Sequence, residues 1–416
     1  MEWVTQVFIA GIIGATGLQL WLSQRQISHV NDHRTAVPEA FTSKIELTEH
    51  QKAADYTTTK VSFGRIELLY SSLLLLAWTL GGGLQWLDNM WLSLAWSPLW
   101  TGVAVMCSLL VIGEILSLPF SIYSTFSIEQ RFGFNRMTPA LYLADLLKQI
   151  LLTLALGIPL LWVILWLMHH ASTLWWLQVW AFWMGFSLFM FWAYPAFIAP
   201  LFNKFKPLED GELRQRIEKL MQRCGFTSNG IFVMDGSRRS AHGNAYFTGI
   251  GQNKRIVFFD TLIESLNADE VEAVLAHELG HFKCKHIQKR LISTAAISLA
   301  GLALLGWLIE QPMFYHGLGV ENMSKHMALI LFMLVMPLLG IFIHPIFSWV
   351  SRKHEFEADS YAAKQTNAND LILALVKLYK ENASTLTPDP LYSAFHDSHP
   401  PAPVRIAHLS SKAVTQ

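Results

Sequence analysis

AVLAHELGHFKCKHIQKRLISTAAISLAGLALLGWLI, residues 273–309, joins two features that rarely share a stretch this short. Its first half carries His277, Glu278 and His281 in the HExxH spacing of a zinc-dependent hydrolytic site. Its second half, from Leu291, is an apolar run, and a bilayer core takes about 20 such residues as helix. His281 precedes that run by ten residues, roughly 15 Å if the helix continues. The stretch predicts a water-consuming site held just off a membrane surface.

Six more stretches qualify as spans, near 3–22, 66–87, 99–119, 149–168, 174–200 and 327–350. The fold class expected is an α-helical integral membrane protein with seven transmembrane helices. Composition agrees. The chain is 52% apolar and 15% charged, where a soluble domain carries about 25% charged residues. The third span is the weakest, because Glu114 interrupts it and a carboxylate at that depth must face protein or water. A structural role with a partner is expected for Glu114. The N-terminus lacks a basic leader and a good cleavage site, which predicts a retained helix. Net charge is zero, so nothing points to nucleic acid. Cys107, Cys224 and Cys284 form no close pair, which argues against a disulfide framework and against cysteine-ligated zinc.

The basic residues orient the map. Thirty of the 31 Lys and Arg fall in segments on one side of the seven spans, and Lys325 stands alone on the other. The positive-inside rule makes the rich side cytoplasmic. That side holds residues 201–290, and with them the HExxH. Residues 1–200 are expected to form a transmembrane region with five spans. Residues 201–416 are expected to form a catalytic domain that includes the spans near 291–309 and 327–350.

Residues four apart share a helix face, so His277 and His281 can address one ion, with Glu278 beside them to hold and deprotonate water. Asn267 or Ser265 can cap this helix, and Asp269 and Glu270 suit its first turn. Catalytic zinc usually takes a third protein ligand and keeps an open position. SRKHEFEADSYAA, directly after the seventh span, offers Glu355 as that ligand and Asp359 one turn on to orient a ligand histidine. Neighbouring helical residues diverge by about 100°, so His354 competes with Glu355 for the role, and Glu357 is expected to be solvated.

The segment 230–263 alternates like strands, with a turn at GQNK. NAYFTGI could lend its edge to an extended peptide, with Asn244 either a substrate contact or a plain turn residue. His242 is expected to be a loop histidine. In HDSHPPAPVRIAHL, His399 and Arg405 are candidate donors to an oxyanion. His344, inside the seventh span, is expected to pack.

HELGH, the EFEAD after the last span and the HPP six residues before Arg405 resemble the type I CAAX prenyl proteases. YPAFIAPLFNKFKPL, SAHGNAYFTGIG, FSIEQRFGFNRMTP and FTSKIELTEHQKAADYTTTK resemble them too, so the likeness covers nearly the whole chain in order. The resemblance implies one zinc ion per chain on His277, His281 and Glu355, with Glu278 as general base. It implies Asp359 behind the ligands, His399 and Arg405 at the transition state or near the ligands, and Asn244 at the substrate strand. It implies seven helices enclosing a water-filled chamber, capped by a cytoplasmic α+β gluzincin-type metalloprotease domain. The expected partners are the bilayer and a peptide or protein substrate, prenylated if the family's activity holds.

Short outer loops and the lack of an ER-retrieval tail favour a prokaryotic plasma membrane, with the ER membrane as the eukaryotic alternative. Two other activities stay open: membrane-protein quality control by the same chemistry, and a silent scaffold with a structural metal. The intact Glu278 argues against the scaffold.

Overall fold

The computed structural model describes residues 3–171, 173–228, 230–248 and 255–413. Its longest element is one unbroken helix, Lys325–Gln365, of 41 residues. Ser324 caps it by accepting from the Met327 amide. Pro337 and Pro345 lie inside it without ending it, as proline can in a membrane helix whose freed carbonyls find other donors. The expected seventh span and the EFEAD segment are therefore a single rod of roughly 60 Å.

Among the described residues, seven helices are long and apolar enough to cross a membrane: Trp3–Asp32, Leu47–Trp78, Pro98–Phe132, Pro139–His170, Trp175–Phe202, His286–Leu308 and Lys325–Gln365. Each contains or overlaps an expected span. The second differs most. It stops at Trp78 instead of running to 87, because Gly82 turns the chain with φ +76° and a separate helix, Gly83–Leu92, takes up the rest of the apolar run. Glu114 is half-buried, and no described residue bonds or pairs with its carboxylate, so the expected partner is not found.

A four-stranded sheet accompanies the last two spans: β1 (Phe205–Pro207), β2 (Ile231–Met234), β3 (Ala245–Thr248) and β4 (Arg255–Phe259). The order is β1-β2-β4-β3, with β2 parallel to β4 and the outer pairings antiparallel. NAYFTGI thus supplies an edge strand, as expected, while the GQNK turn lies outside the described residues.

Two main cores form. One, among the spans, gathers Leu84, Leu165, Met327 and Leu331. The other joins the helix Ala268–Lys283 to the sheet and to the end of the long rod, and includes Phe258, Leu275 and Ala362. Phe41 and Ile45, from the segment after the first span, are buried in this second core. Arg25, toward the C-terminal end of the first span, pairs with Asp389 at 2.8 Å, and the Asp389 amide donates to Gln26 at 2.7 Å. The membrane bundle and the sheet-bearing unit therefore share side chains as well as chain.

Candidate metal centre

The helix Ala268–Lys283 starts with a reciprocal cap: the Glu270 amide donates to Asn267 Oδ1 at 2.9 Å, and the Asn267 amide donates to Glu270 Oε2 at 2.8 Å. Asn267, and not Ser265, is the cap. The helix does not continue into the sixth span. It ends at Cys284, Lys285 takes the left-handed conformation at φ 58°, and a new helix starts at His286. The site is therefore set off from the sixth span by a bend.

Gly280 lets this helix lie against the long rod. A Cβ there would stand 2.9 Å from Ala358 Cα and 3.0 Å from the Ala358 carbonyl oxygen. That close approach brings Glu355 and Asp359, one turn apart on the rod, against the two histidines.

His277 Nε2 and His281 Nε2 lie 3.2 Å apart. Glu355 Oε2 is 3.4 Å from the first and Glu355 Oε1 is 3.3 Å from the second. One donor atom from each of the three residues lies within 4.8 Å of the others, a spacing that a single metal ion can bridge. Glu355 Oε2 is buried without a hydrogen-bond partner. The donor set, its spacing and this orphaned oxygen fit a tetrahedral zinc with one position open. His354 is not part of the cluster. Its ring stacks on His286, with centroids 4.0 Å apart.

Both ligand histidines are held from behind. His277 Nδ1 is 2.8 Å from Asp359 Oδ1. His281 Nδ1 is 3.0 Å from His286 Nδ1, and His286 Nε2 is 2.9 Å from Glu357 Oε2. A ring that offers Nε2 to a cation keeps its proton on Nδ1, so His281 donates to His286 and His286 donates to Glu357. Glu357 is about half exposed but not merely solvated, because it anchors this chain and also faces Lys289 at 3.6 Å. Sequence reading missed the role of His286. The bend at Lys285 moves it off the regular helical face, and spacing alone gives no sign of that.

Charge balance is tight here. Burial and Arg405 act to lower the His277 pKa, and the Asp359 and Glu355 carboxylates outweigh them, so it is pushed up to about 9. Burial pushes the Glu278 carboxyl up, opposed by the charges of His277 and His281. No described residue hydrogen-bonds that carboxyl.

Arg405 is 6% exposed, and its guanidinium grips both oxygens of Asp359, with Nη1 3.6 Å from Glu355 Oε2. It is not free to reach out to an oxyanion. His399 differs: its side chain is 64% exposed and its Nε2 lies 3.4 Å from Glu355 Oε1. His344 does more than pack, since its Nδ1 reaches the Phe395 carbonyl oxygen at 2.5 Å and ties the helix Pro390–His396 to the rod.

His399 lines a cavity of about 990 Å³ whose other walls include Gln19 and Ser23 of the first span, Lys60 of the second, and His242 and Asn244 ahead of β3. Asn244 accepts from the Phe259 amide through its own carbonyl at 2.9 Å, and its Oδ1 accepts from the Ala245 amide at 2.8 Å. It is exposed at the start of the edge strand.

Two family models match successive parts of the chain. Residues 26–204 match the family model described as CAAX prenyl protease N-terminal, five membrane helices, and residues 207–413 match peptidase family M48. The CAAX prenyl protease 1 of Saccharomyces cerevisiae is 34% identical, over 97% of this chain and 95% of its own length. The Arabidopsis thaliana CAAX prenyl protease 1 homolog is 41% identical, over 72% of this chain and 71% of its own. The crystal structure of S. mikatae Ste24p superposes with a TM-score of 0.92 at 32% identity, covering 98% of this chain and 99% of that one.

Proposed function

We infer the activity of this chain from its family, for it belongs to the CAAX prenyl protease 1 proteins of peptidase family M48. It is a multi-pass membrane metalloprotease that acts on peptide or protein substrates. The finer reading is that its metal is zinc, one ion per chain, and that it removes the last three residues from prenylated CAAX-type C-termini. The observation that carries this reading is the His277–His281–Glu355 cluster, its donor atoms within 4.8 Å of one another, beside a cavity that the membrane helices help to wall.

In this reading His277, His281 and Glu355 hold the metal, which supplies a Lewis acid for the scissile carbonyl and a more acidic water. Glu278 takes the proton from the attacking water and delivers it to the leaving amine. His399, exposed in the cavity, donates from Nε2 to the oxyanion. Arg405 acts through Asp359, holding the carboxylate that fixes the His277 ring. Asn244 and the free edge of β3 bind the peptide backbone. Residues 1–200 form the membrane region and 201–416 the protease domain with the last two spans. The site faces the cytoplasm, on the strength of the basic-residue asymmetry.

The test is cleavage of one CAAX peptide, farnesylated and bare, read by mass spectrometry with wild type beside Glu278→Gln. Loss of the last three residues from the farnesylated peptide alone, by wild type alone, supports the reading. Equal cutting of both peptides, or cutting elsewhere, moves the chain to membrane-protein quality control. A zinc-loaded wild type that cuts neither overturns the reading.

A further inference from the structure

Among the described residues that line the 990 Å³ cavity, Lys60 is the one Lys or Arg and Asp397 the one Asp or Glu. Lys60 sits on the inner part of the helix Leu47–Trp78 with its side chain 51% exposed. Its ammonium touches the Tyr56 hydroxyl at 3.2 Å and stands 3.7 Å from Glu129 Oε1, beyond hydrogen-bond reach. Glu129 itself is held by Tyr56, whose hydroxyl donates to it at 2.7 Å. An ammonium has three N–H donors, so most of the donor capacity of Lys60 remains for the cavity.

Position gives this cation a purpose. Glu129 Oε2 lies 3.5 Å from His242 Nε2, and His242 precedes the edge strand Ala245–Thr248 by three residues. Lys60, Glu129 and His242 thus cluster just beyond the start of β3. A peptide that adds to β3 antiparallel, the pairing β3 already makes with β4, runs with its C-terminal end toward that start. Three extended residues reach about 10 Å. A substrate cut three residues from its end therefore carries its α-carboxylate toward the cluster, where Lys60 is the one lysine or arginine on the cavity wall among the described residues. Arg405 cannot serve, because it is buried and clasped by Asp359.

We propose that Lys60 binds the free C-terminal carboxylate of the substrate and so sets where the chain is cut. The proposal rests on the reading that the enzyme removes a C-terminal tripeptide. It makes Lys60 a measuring residue: the distance from ammonium to metal centre fixes the number of residues released.

The experiment uses the full-length enzyme and a farnesylated CAAX-type peptide made in two forms, with a free C-terminal acid and with a C-terminal amide. The readout is the acid-to-amide ratio of kcat/KM for wild type, Lys60→Gln, Lys60→Ala and Lys60→Arg. Because each protein is its own reference, loss of folded material cancels from the ratio. Wild type is expected to favour the acid by about tenfold or more, the scale of one charge-assisted hydrogen bond. In Lys60→Gln and Lys60→Ala the ratio is expected to fall to near one, while Lys60→Arg keeps most of it. A wild-type ratio near one, or a preference that survives in Lys60→Gln and Lys60→Ala, overturns the proposal while tripeptide release stands. Failure of wild type to release a tripeptide from either form overturns the underlying reading and this inference with it.

Discussion

His277 and His281 present the same atom, Nε2, yet lean on different supports. Behind His277 stands Asp359, and behind Asp359 stands the buried Arg405. Asp359→Ala removes the acceptor and leaves a buried guanidinium with one carboxylate fewer. A loss of about 3–5 kcal/mol in stability is expected, read by thermal unfolding with metal bound. Behind His281 stands neutral His286, and behind it the half-exposed Glu357. His286→Ala is expected to weaken metal retention by about 10- to 100-fold in a competition assay with a chelator, with the bundle still folded. Unchanged retention would remove His286 from the support chain. Glu278→Gln is expected to keep the metal and lower kcat by at least about 100-fold. Of these residues, the HExxH pair and the Glu355–Asp359 pair were legible in the sequence as shared helix faces, whereas spacing left His354 competing with Glu355 until the structure brought Glu355 to the histidines. His286 was not, since its place depends on a left-handed lysine that no residue type announces. Arg405 was legible as a member of the site but not as a residue clamped out of reach.

Between elements, the decisive contact is Gly280 against Ala358. A methyl group there meets backbone, not a side chain that can swing aside. Gly280→Ala is expected to cost about 1–3 kcal/mol and to lower metal affinity together with stability, read by unfolding and by metal titration. Stability falling while affinity holds would mean that the two helices can part without disturbing the ligands. The spans were legible because each is an apolar run near bilayer length. The end of the second was not, because apolar residues continue past Gly82 and only the backbone shows that the helix does not. The strand segments were legible by alternation, whereas the order β1-β2-β4-β3 depends on long-range pairing that alternation does not encode.

For the whole molecule, the asymmetry of Lys and Arg makes a prediction about sidedness. In a variant lacking Cys107, Cys224 and Cys284, held in sealed membrane vesicles whose outer face is the cytoplasmic one, a single cysteine at Glu321 is expected to react with an impermeant maleimide only after permeabilisation. One at Asp210, whose side chain is 94% exposed, is expected to react in the sealed vesicles. The reverse pattern would turn the protein over and put its site on the other side.

The 41-residue rod has a consequence for how such an enzyme can be handled and regulated. Glu355 and Asp359 ride on the same unbroken helix that crosses the bilayer, and the paired histidines are followed within a few residues by another crossing. No cut in the chain can shed a soluble, metal-competent fragment, because any excision that keeps the ligands keeps two membrane crossings with them. A cell cannot release this activity by clipping it from its anchor. To remove it, the cell must extract or destroy the protein as a whole.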